Sequence, residues 1–281
     1  MKKRRTYFER SVRRIDLEGS QAEQRLLRIA LVADLHDRPC CGLTQAIRDA
    51  QPDLIAIAGD LMECPLPPDA PKDPDDWYAG GNPLVRAALW AVTSASDAVG
   101  RLRPRRPGNE QALAFLREAV HIAPVCYALG NHERGITPAQ RVQVLHTGAA
   151  LLDGAFIRLQ VGACEAIVGG LTSRMNAGWL DAFAQAEGKP GVPVVRVLLC
   201  HRPEYYDRYD LPGDVILSGH AHGGQWRLLG RPVFAPGQGL FPHYAEGVHD
   251  GRLVVSRGLA NTACLPRLGN PPELVIVDVF G

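Results

Sequence analysis

Eight side chains in five short motifs carry most of the chemistry this sequence can offer. The motifs are Asp34-Leu35-His36, Gly59-Asp60, Gly130-Asn131-His132-Glu133, His201 and Gly219-His220-Ala221-His222. Their donors are nitrogen and oxygen, with no thiolate among them. Imidazole with carboxylate suits Mn²⁺, Fe, Zn²⁺ and related divalent ions, and it excludes a closed, cysteine-type structural zinc site. The set is larger than one ion requires, because a catalytic mononuclear zinc takes three protein ligands. Two ions sharing a carboxylate would use it economically, and ions paired roughly 3.5–4 Å apart recur in phosphoester cleavage. A lone histidine or aspartate at a strand end is usually structural or solvated. Eight such residues meeting at one place, left without a metal, would bury uncompensated polar groups.

Five short apolar runs lead into these motifs and must position them. Leu26–Ala33, Asp53–Ala58, Ile122–Leu129, Val194–Cys200 and Asp214–Leu217 have the length and apolar content of buried strands. In α/β sheets, ligands sit in the crevice beyond the carboxyl ends of the strands. Five strand ends therefore deliver the eight side chains toward one rim. Ala155–Val161 and Cys164–Val168 bracket Gly162 as a hairpin, and Leu253–Val255 and Leu274–Val279 read as further strands. Cys200 precedes His201 and should face the opposite side of its strand. His121, His146, His243 and His249 are expected to be core or surface residues. The alternation of strands with helical stretches, one of them around Glu110–Val120, predicts a layered α/β domain.

Cys64–Gly81 is rich in proline and reads as a loop. A helix is expected after Asn82–Pro83, with Trp90 on its polar face and Arg101, Arg103, Arg105 and Arg106 behind it. We read 62–108 as an insertion within a domain spanning 26–281, preceded by a basic segment, 1–25. The insertion helix is expected to pack on the domain, with a lid over a large anionic substrate as the sharper reading.

The 281 residues carry 31 basic and 30 acidic side chains, a net charge of +1, which excludes a strongly basic nucleic-acid binder. Residues 1–25 hold eight basic side chains against four acidic ones. This segment reads as a solvated tail or an edge strand, and the sharper reading is peripheral contact with an anionic membrane surface. No apolar run approaches the roughly 18 residues of a membrane-spanning helix. Arg4-Arg5 is followed by no apolar signal region, and seven cysteines without a C-x-x-C pair fit reduced thiols. A cytoplasmic protein is the expectation, with peripheral contact at the inner face of the membrane as the sharper reading.

The ordered series D-x-H, G-D, G-N-H-E, H and G-H-x-H resembles the calcineurin-like metallophosphoesterase superfamily. The resemblance covers roughly Ile29 to Val279, with 62–108 unmatched. The later part (Gly223-Gly224-Gln225, Pro236, Tyr244, Val255-Ser256-Arg257-Gly258 and Pro272-Glu273) is similar to a single-domain bacterial branch that includes membrane-associated phosphodiesterases and relatives acting on lipid-linked substrates. The resemblance implies a four-layer αββα sandwich with two mixed β-sheets. It implies one metal on Asp34, His36, Asp60 and His222, and a second on Asp60, Asn131, His201 and His220, with Asp60 bridging. His132 resembles the family's substrate-phosphate and leaving-group histidine. Ala33, where relatives often have serine, and Arg202 after His201 are departures that touch no ligand position.

Two divalent ions, Mn²⁺ favoured and Fe or Zn²⁺ also fitting, less Asp34, Asp60 and a bridging hydroxide, leave about +1 to attract a phosphate. The hydroxide would attack phosphorus in line while protonated His132 donates to the leaving alkoxide, help that contributes about 10²–10⁴-fold. Asp37 or Glu133 would orient the metal-site histidines by hydrogen bonds. The expected activity is phosphoester hydrolysis, with phosphodiester or pyrophosphate-linked substrates, lipid-linked ones included, favoured over monoesters. A phosphomonoesterase or protein phosphatase is the alternative, disfavoured because Gly59-Asp60-Leu61-Met62-Glu63 lacks an Asp-Arg-Gly continuation. A catalytically silent binding module is the reading from another class, and it fits poorly with every ligand position filled.

Overall fold

The computed structural model describes residues 7–17, 23–67, 70, 108–172, 177–260 and 267–281. The insertion helix expected after Pro83, Trp90 and the arginines at 101–106 lie outside the described residues. The first sheet is built from β1 (Glu9–Asp16), β2 (Arg25–Val32), β3 (Leu54–Ala58), β4 (Val125–Ala128) and β5 (Ala150–Leu152). The second takes β6 (Ala155–Val161), β7 (Cys164–Leu171), β8 (Val194–Cys200) and β9 (Val215–Ser218). Two small hairpins follow, β10 (Arg227–Leu228) with β11 (Arg231–Pro232) and β12 (Phe234–Ala235) with β13 (Gly239–Leu240). Then β14 (Gly247–His249) and β15 (Leu253–Val255) extend the second sheet, and β16 (Glu273–Phe280) returns to the first. The strand orders are β1-β16-β2-β3-β4-β5 and β14-β15-β9-β8-β7-β6. Both sheets are mixed: β16 is antiparallel to β2, and β14 and β6 are antiparallel to their neighbours, while the central pairs are parallel.

The period-two alternation of side chains sorts the strands' apolar residues into three cores. Ile29, Leu31, Ala56, Val197, Leu217 and Val277 fill the space between the sheets. Ala30, Val32, Ile55, Ile57, Tyr127 and Ile276 face helices α1 (Leu43–Ala50), α2 (Glu110–Ala119) and α3 (Pro138–Leu145). Ile167, Leu198, Ile216 and Leu253 face α4 (Leu180–Ala184) and α5 (Tyr205–Arg208). Near-continuous apolar runs such as Leu-Ile-Ala-Ile-Ala in β3 are what a parallel strand covered on both faces requires. The fold is thus a four-layer αββα sandwich. The helix starts are specified locally: Thr137 accepts from the Gln140 N–H at 3.2 Å while Gln140 Oε1 accepts from the Thr137 N–H at 2.8 Å, ahead of Pro138. Asp37 Oδ1 accepts from the N–H groups of Gln111 and Ala112, so this rim carboxylate caps α2.

The strongly basic 1–25 segment contributes β1, an edge strand lying parallel to β16. Two of its cations are engaged: Arg13 pairs with Glu273 at 3.1 Å, and Arg14 pairs with Asp16 at 2.8 Å. Cys200 packs in the helix-facing core, away from the rim. The six described cysteines are all free. Among the described residues, no helix is long and apolar enough to cross a membrane.

Candidate metal centre

The motifs at the ends of β2, β3, β4, β8 and β9 converge on one rim. There the backbone is bent into an unusual shape. Asp34, His36, Asp60, His220 and His222 all have φ between 47° and 66°, the left-handed region that side-chain-bearing residues rarely adopt. Interlocked loops hold them there. The N–H of Asp34 donates to Gly59 O at 3.2 Å, that of His36 to Asp60 O at 2.9 Å, and that of Ala260 to Asp34 O at 2.9 Å. Backbone strain of this kind persists where the surroundings over-determine it, and it clusters at functional sites. The loops also approach closely: a Cβ on Gly130 would lie 2.1 Å from Asp60 Oδ1.

Three groupings of candidate ligands result, one of which, His36, Asp60 and His132, bridges the other two. Asp34, His36 and His222 offer one donor atom each within 4.8 Å of one another, and so do Asp60, His201 and His220. The His36 and His222 rings stack at 5.4 Å, and the His201 and His220 rings meet edge-on at 5.0 Å. Asp60 joins the groups, its Oδ2 lying 3.2 Å from His201 Nε2 and 3.8 Å from His36 Nε2. Asn131 Oδ1 sits 3.0 Å from His201 Nε2. All eight expected side chains therefore meet at this rim. The four remaining histidines are in none of the metal-type groupings.

The donor chemistry fits a cation. His201 Nδ1 lies 2.7 Å from Ala58 O and donates to it, so the neutral ring turns a lone pair at Nε2 toward two acceptor oxygens, Asp60 Oδ2 and Asn131 Oδ1. Without a cation that nitrogen must hold a proton. Burial disfavours the imidazolium, but the Asp60 and Asp34 carboxylates outweigh it and push His201 up to about 9. Nε2 of buried His36 and of buried His220 has no hydrogen-bond partner. Burial pushes His220 and His222 well below the usual imidazole value, with Arg202 acting in the same direction on His220 and Arg267 on His222, which leaves both neutral and able to ligate. Burial would raise Asp60, yet the surrounding imidazoles, His201 foremost, hold its carboxyl well below the ordinary range.

Sequence reasoning assigned the orienting carboxylates incorrectly. Asp37 caps α2. Glu133 accepts from the N–H groups of Asp60, Met62 and Gly130 and from the Tyr127 hydroxyl, so it holds the β3 and β4 loops together. The carboxylate that orients histidines is Glu63, which lies 2.9 Å from His36 Nδ1 and 3.1 Å from His132 Nδ1. Its signal was present as an acidic residue three positions after Asp60, but only the loop geometry turns it onto both rings. Arg267 was also missed. Its Nη2 contacts His222 Nδ1 at 3.0 Å and Ala260 O, while Nη1 donates to Arg257 O at 2.7 Å. Nothing in the local sequence links this arginine to a motif 45 residues earlier.

No protein-family model matches the chain. Among curated proteins it is similar to the uncharacterized protein YpbG of Bacillus subtilis (strain 168), 26% identical over 265 residues, covering 91% of this chain and 82% of that protein. Two further relatives are named metallophosphoesterases, both uncharacterized. One, from Aquifex aeolicus, is 28% identical over 163 residues, covering 54% of this chain and 59% of the relative. The other, from Campylobacter jejuni, is 30% identical over 163 residues, covering 55% and 42%. These likenesses support the metallophosphoesterase superfamily. The chain spans less than two thirds of either of the two relatives that carry the name.

Proposed function

We propose that this protein is a dinuclear-metal phosphoester hydrolase. The observation that carries the reading is the place of Asp60, whose Oδ2 faces the imidazoles of both ligand groups. Asp34, His36, Asp60 and His222 would hold one ion, and Asp60, Asn131, His201 and His220 the other. Manganese is the favoured metal, with iron and zinc also suited to the donor set. Bound ions of this kind supply Lewis acidity and water of lowered pKa.

The chain's own residues set the rest of the chemistry. His132 is the half-buried imidazole of the site, its side chain 34% accessible while that of His36 is 1% accessible. It therefore faces arriving substrate. In the metal-free protein burial opposes its charge, but Asp60 and Glu63 push it up to about 10. A protonated imidazole at this place is suited to protonate a leaving alkoxide.

Phosphodiester or pyrophosphate-linked substrates, lipid-linked ones included, are favoured over monoesters. We take residues 26–281 as the catalytic domain, with an insertion at about 62–108, and a cytoplasmic location with peripheral membrane contact. The test is to strip the purified protein, restore Mn²⁺, and assay bis-p-nitrophenyl phosphate, p-nitrophenyl phosphate and phosphopeptides. Two equivalents of metal by elemental analysis and preferential diester turnover are expected, with Asp60→Asn falling to background. Full activity in metal-loaded Asp60→Asn would sink the assignment. Fewer than two equivalents without turnover would favour a binding module, and turnover of phosphopeptides alone a protein phosphatase.

A further inference from the structure

Asn109 stands immediately before α2, where an asparagine ordinarily caps the helix with its own side chain. Here that side chain makes no cap. Asp37, from the loop after β2, accepts from the N–H groups of Gln111 and Ala112 at 2.9 and 3.0 Å and takes over the task. The Asn109 side chain turns instead to the loop after β3. Its Oδ1 accepts from the Glu63 N–H at 2.7 Å, while its Nδ2 donates to Glu63 O at 3.2 Å and reaches Cys64 Sγ at 3.6 Å. One carboxamide thus satisfies both backbone polar groups of Glu63, as a neighbouring strand would. Asn109 is 3% exposed and has φ 54° and ψ 38°, in the left-handed region that asparagine visits more readily than most residues.

The residue held in this way is the one whose carboxylate orients His36 and His132. The Glu63 side chain is 35% accessible, so close packing does not fix it, and its direction depends on the backbone beneath it. Cys64 is tied from the other side. Its N–H donates to His132 O at 2.8 Å, and its carbonyl accepts from the Gly135 N–H at 2.9 Å. The backbone polar groups of Glu63 and Cys64 are therefore all engaged, those of Glu63 by Asn109 and those of Cys64 by the loop after β4. Without the carboxamide, the Glu63 peptide would be anchored from one side only.

We propose that Asn109 is a positioning residue of the metal centre, whose clasp on the Glu63 backbone sets that carboxylate against His36 and His132. This role rests on the two-metal reading, which makes His36 a ligand. The test is calorimetric Mn²⁺ titration of the stripped full-length protein as wild type, Asn109→Gly, Glu63→Ala and the double variant. Glycine accepts the left-handed backbone and removes the clasp alone. Groups that orient metal ligands contribute about 10–100-fold to affinity, so Asn109→Gly should weaken Mn²⁺ binding about tenfold. In the Glu63→Ala background the same substitution should change affinity by less than about twofold, because the group it positions is already gone. Asn109→Asp keeps an acceptor for the Glu63 N–H and should recover part of the loss. Circular dichroism checks that each variant is folded, and if Asn109→Gly is not, Asn109→Asp in both backgrounds carries the same comparison. Equal losses in the two backgrounds, or unchanged affinity in Asn109→Gly, would overturn the proposal, as would a wild type that binds no Mn²⁺. The expected pattern in a wild type that turns over no diester would sink the hydrolase reading and leave the clasp standing.

Discussion

Glu63 shows how one carboxylate can set the state of two rings. With its oxygens on Nδ1 of His36 and of His132, both rings turn Nε2 toward the centre. Burial alone would push the Glu63 carboxyl up, but the two imidazoles, His132 first, hold it far below the usual carboxylate range, so it stays anionic. That negative charge in turn helps keep His132 protonated. Glu63→Gln keeps the shape and removes the charge. We expect kcat for a diester to fall by about 10²-fold, within the range general acid catalysis contributes. The alkaline limb of the kcat–pH profile should also move to lower pH, because His132 then loses its proton more easily. Glu63→Asp should recover part of both effects. A fall in kcat with an unmoved limb and a lost metal would instead show Glu63 to be structural. His132 was legible from its place in Gly-Asn-His-Glu. Its partner was not, because the choice among Asp37, Glu63 and Glu133 depends on where each loop folds back.

At the scale of elements, the strand ends were the readable part, since short apolar runs terminating in polar motifs leave few alternatives. The limits of those runs were less legible. Ile122–Leu129 shortens to β4 at Val125–Ala128, because the N–H of Ile122 closes the end of α2 on Ala119 O and Pro124 follows shortly after. β1, with the sequence Glu-Arg-Ser-Val-Arg-Arg-Ile-Asp, carries little apolar signal because it buries Ile15 alone. Charges suit an edge strand, where they discourage pairing with other chains. The loop after β15 was legible only as part of a resemblance, yet it packs against Asp34, one of the proposed ligands. Gly258 has φ 71°, and a Cβ there would lie 2.6 Å from Asp34 Oδ2. Gly258→Ala should therefore both strain the backbone and displace a metal-site carboxylate, destabilising the fold by about 1–3 kcal/mol. Urea unfolding of the metal-free protein measures that loss, and calorimetric Mn²⁺ titration should show weaker binding. Unchanged metal affinity would separate the loop from the site.

For the whole molecule, a net charge of +1 conceals a concentration of buried charge at one rim. In the metal-free protein, protons on His132 and His201 take the place of cations, with values pushed up to about 10 and about 9 from an ordinary 6.5. Imidazoles raised in the folded state contribute stability that is fully present below pH 6.5 and lost as pH rises through 9 and 10. Asp60 and Glu63 are depressed, so their contribution is present above about pH 4.5 and disappears in acid. Burial acts on Glu133 in the opposite direction and lifts it to about 7, which adds to the loss of stability between pH 4.5 and 7. His220 and His222 are depressed and act in the opposite sense below about pH 6.5. Above pH 7, where that contribution is complete, the metal-free protein should melt lower as pH rises to 9.5, by roughly 5 °C for a chain of this size. Ligands must shed protons to hold a metal, so Mn²⁺ should raise the melting temperature more at pH 9 than at pH 6. Differential scanning calorimetry of stripped and reloaded protein across that range checks both trends. A melting temperature indifferent to pH and to Mn²⁺ would mean that the rim's protons and the proposed ions do not compete for the same atoms, and the two-metal reading would fall with it.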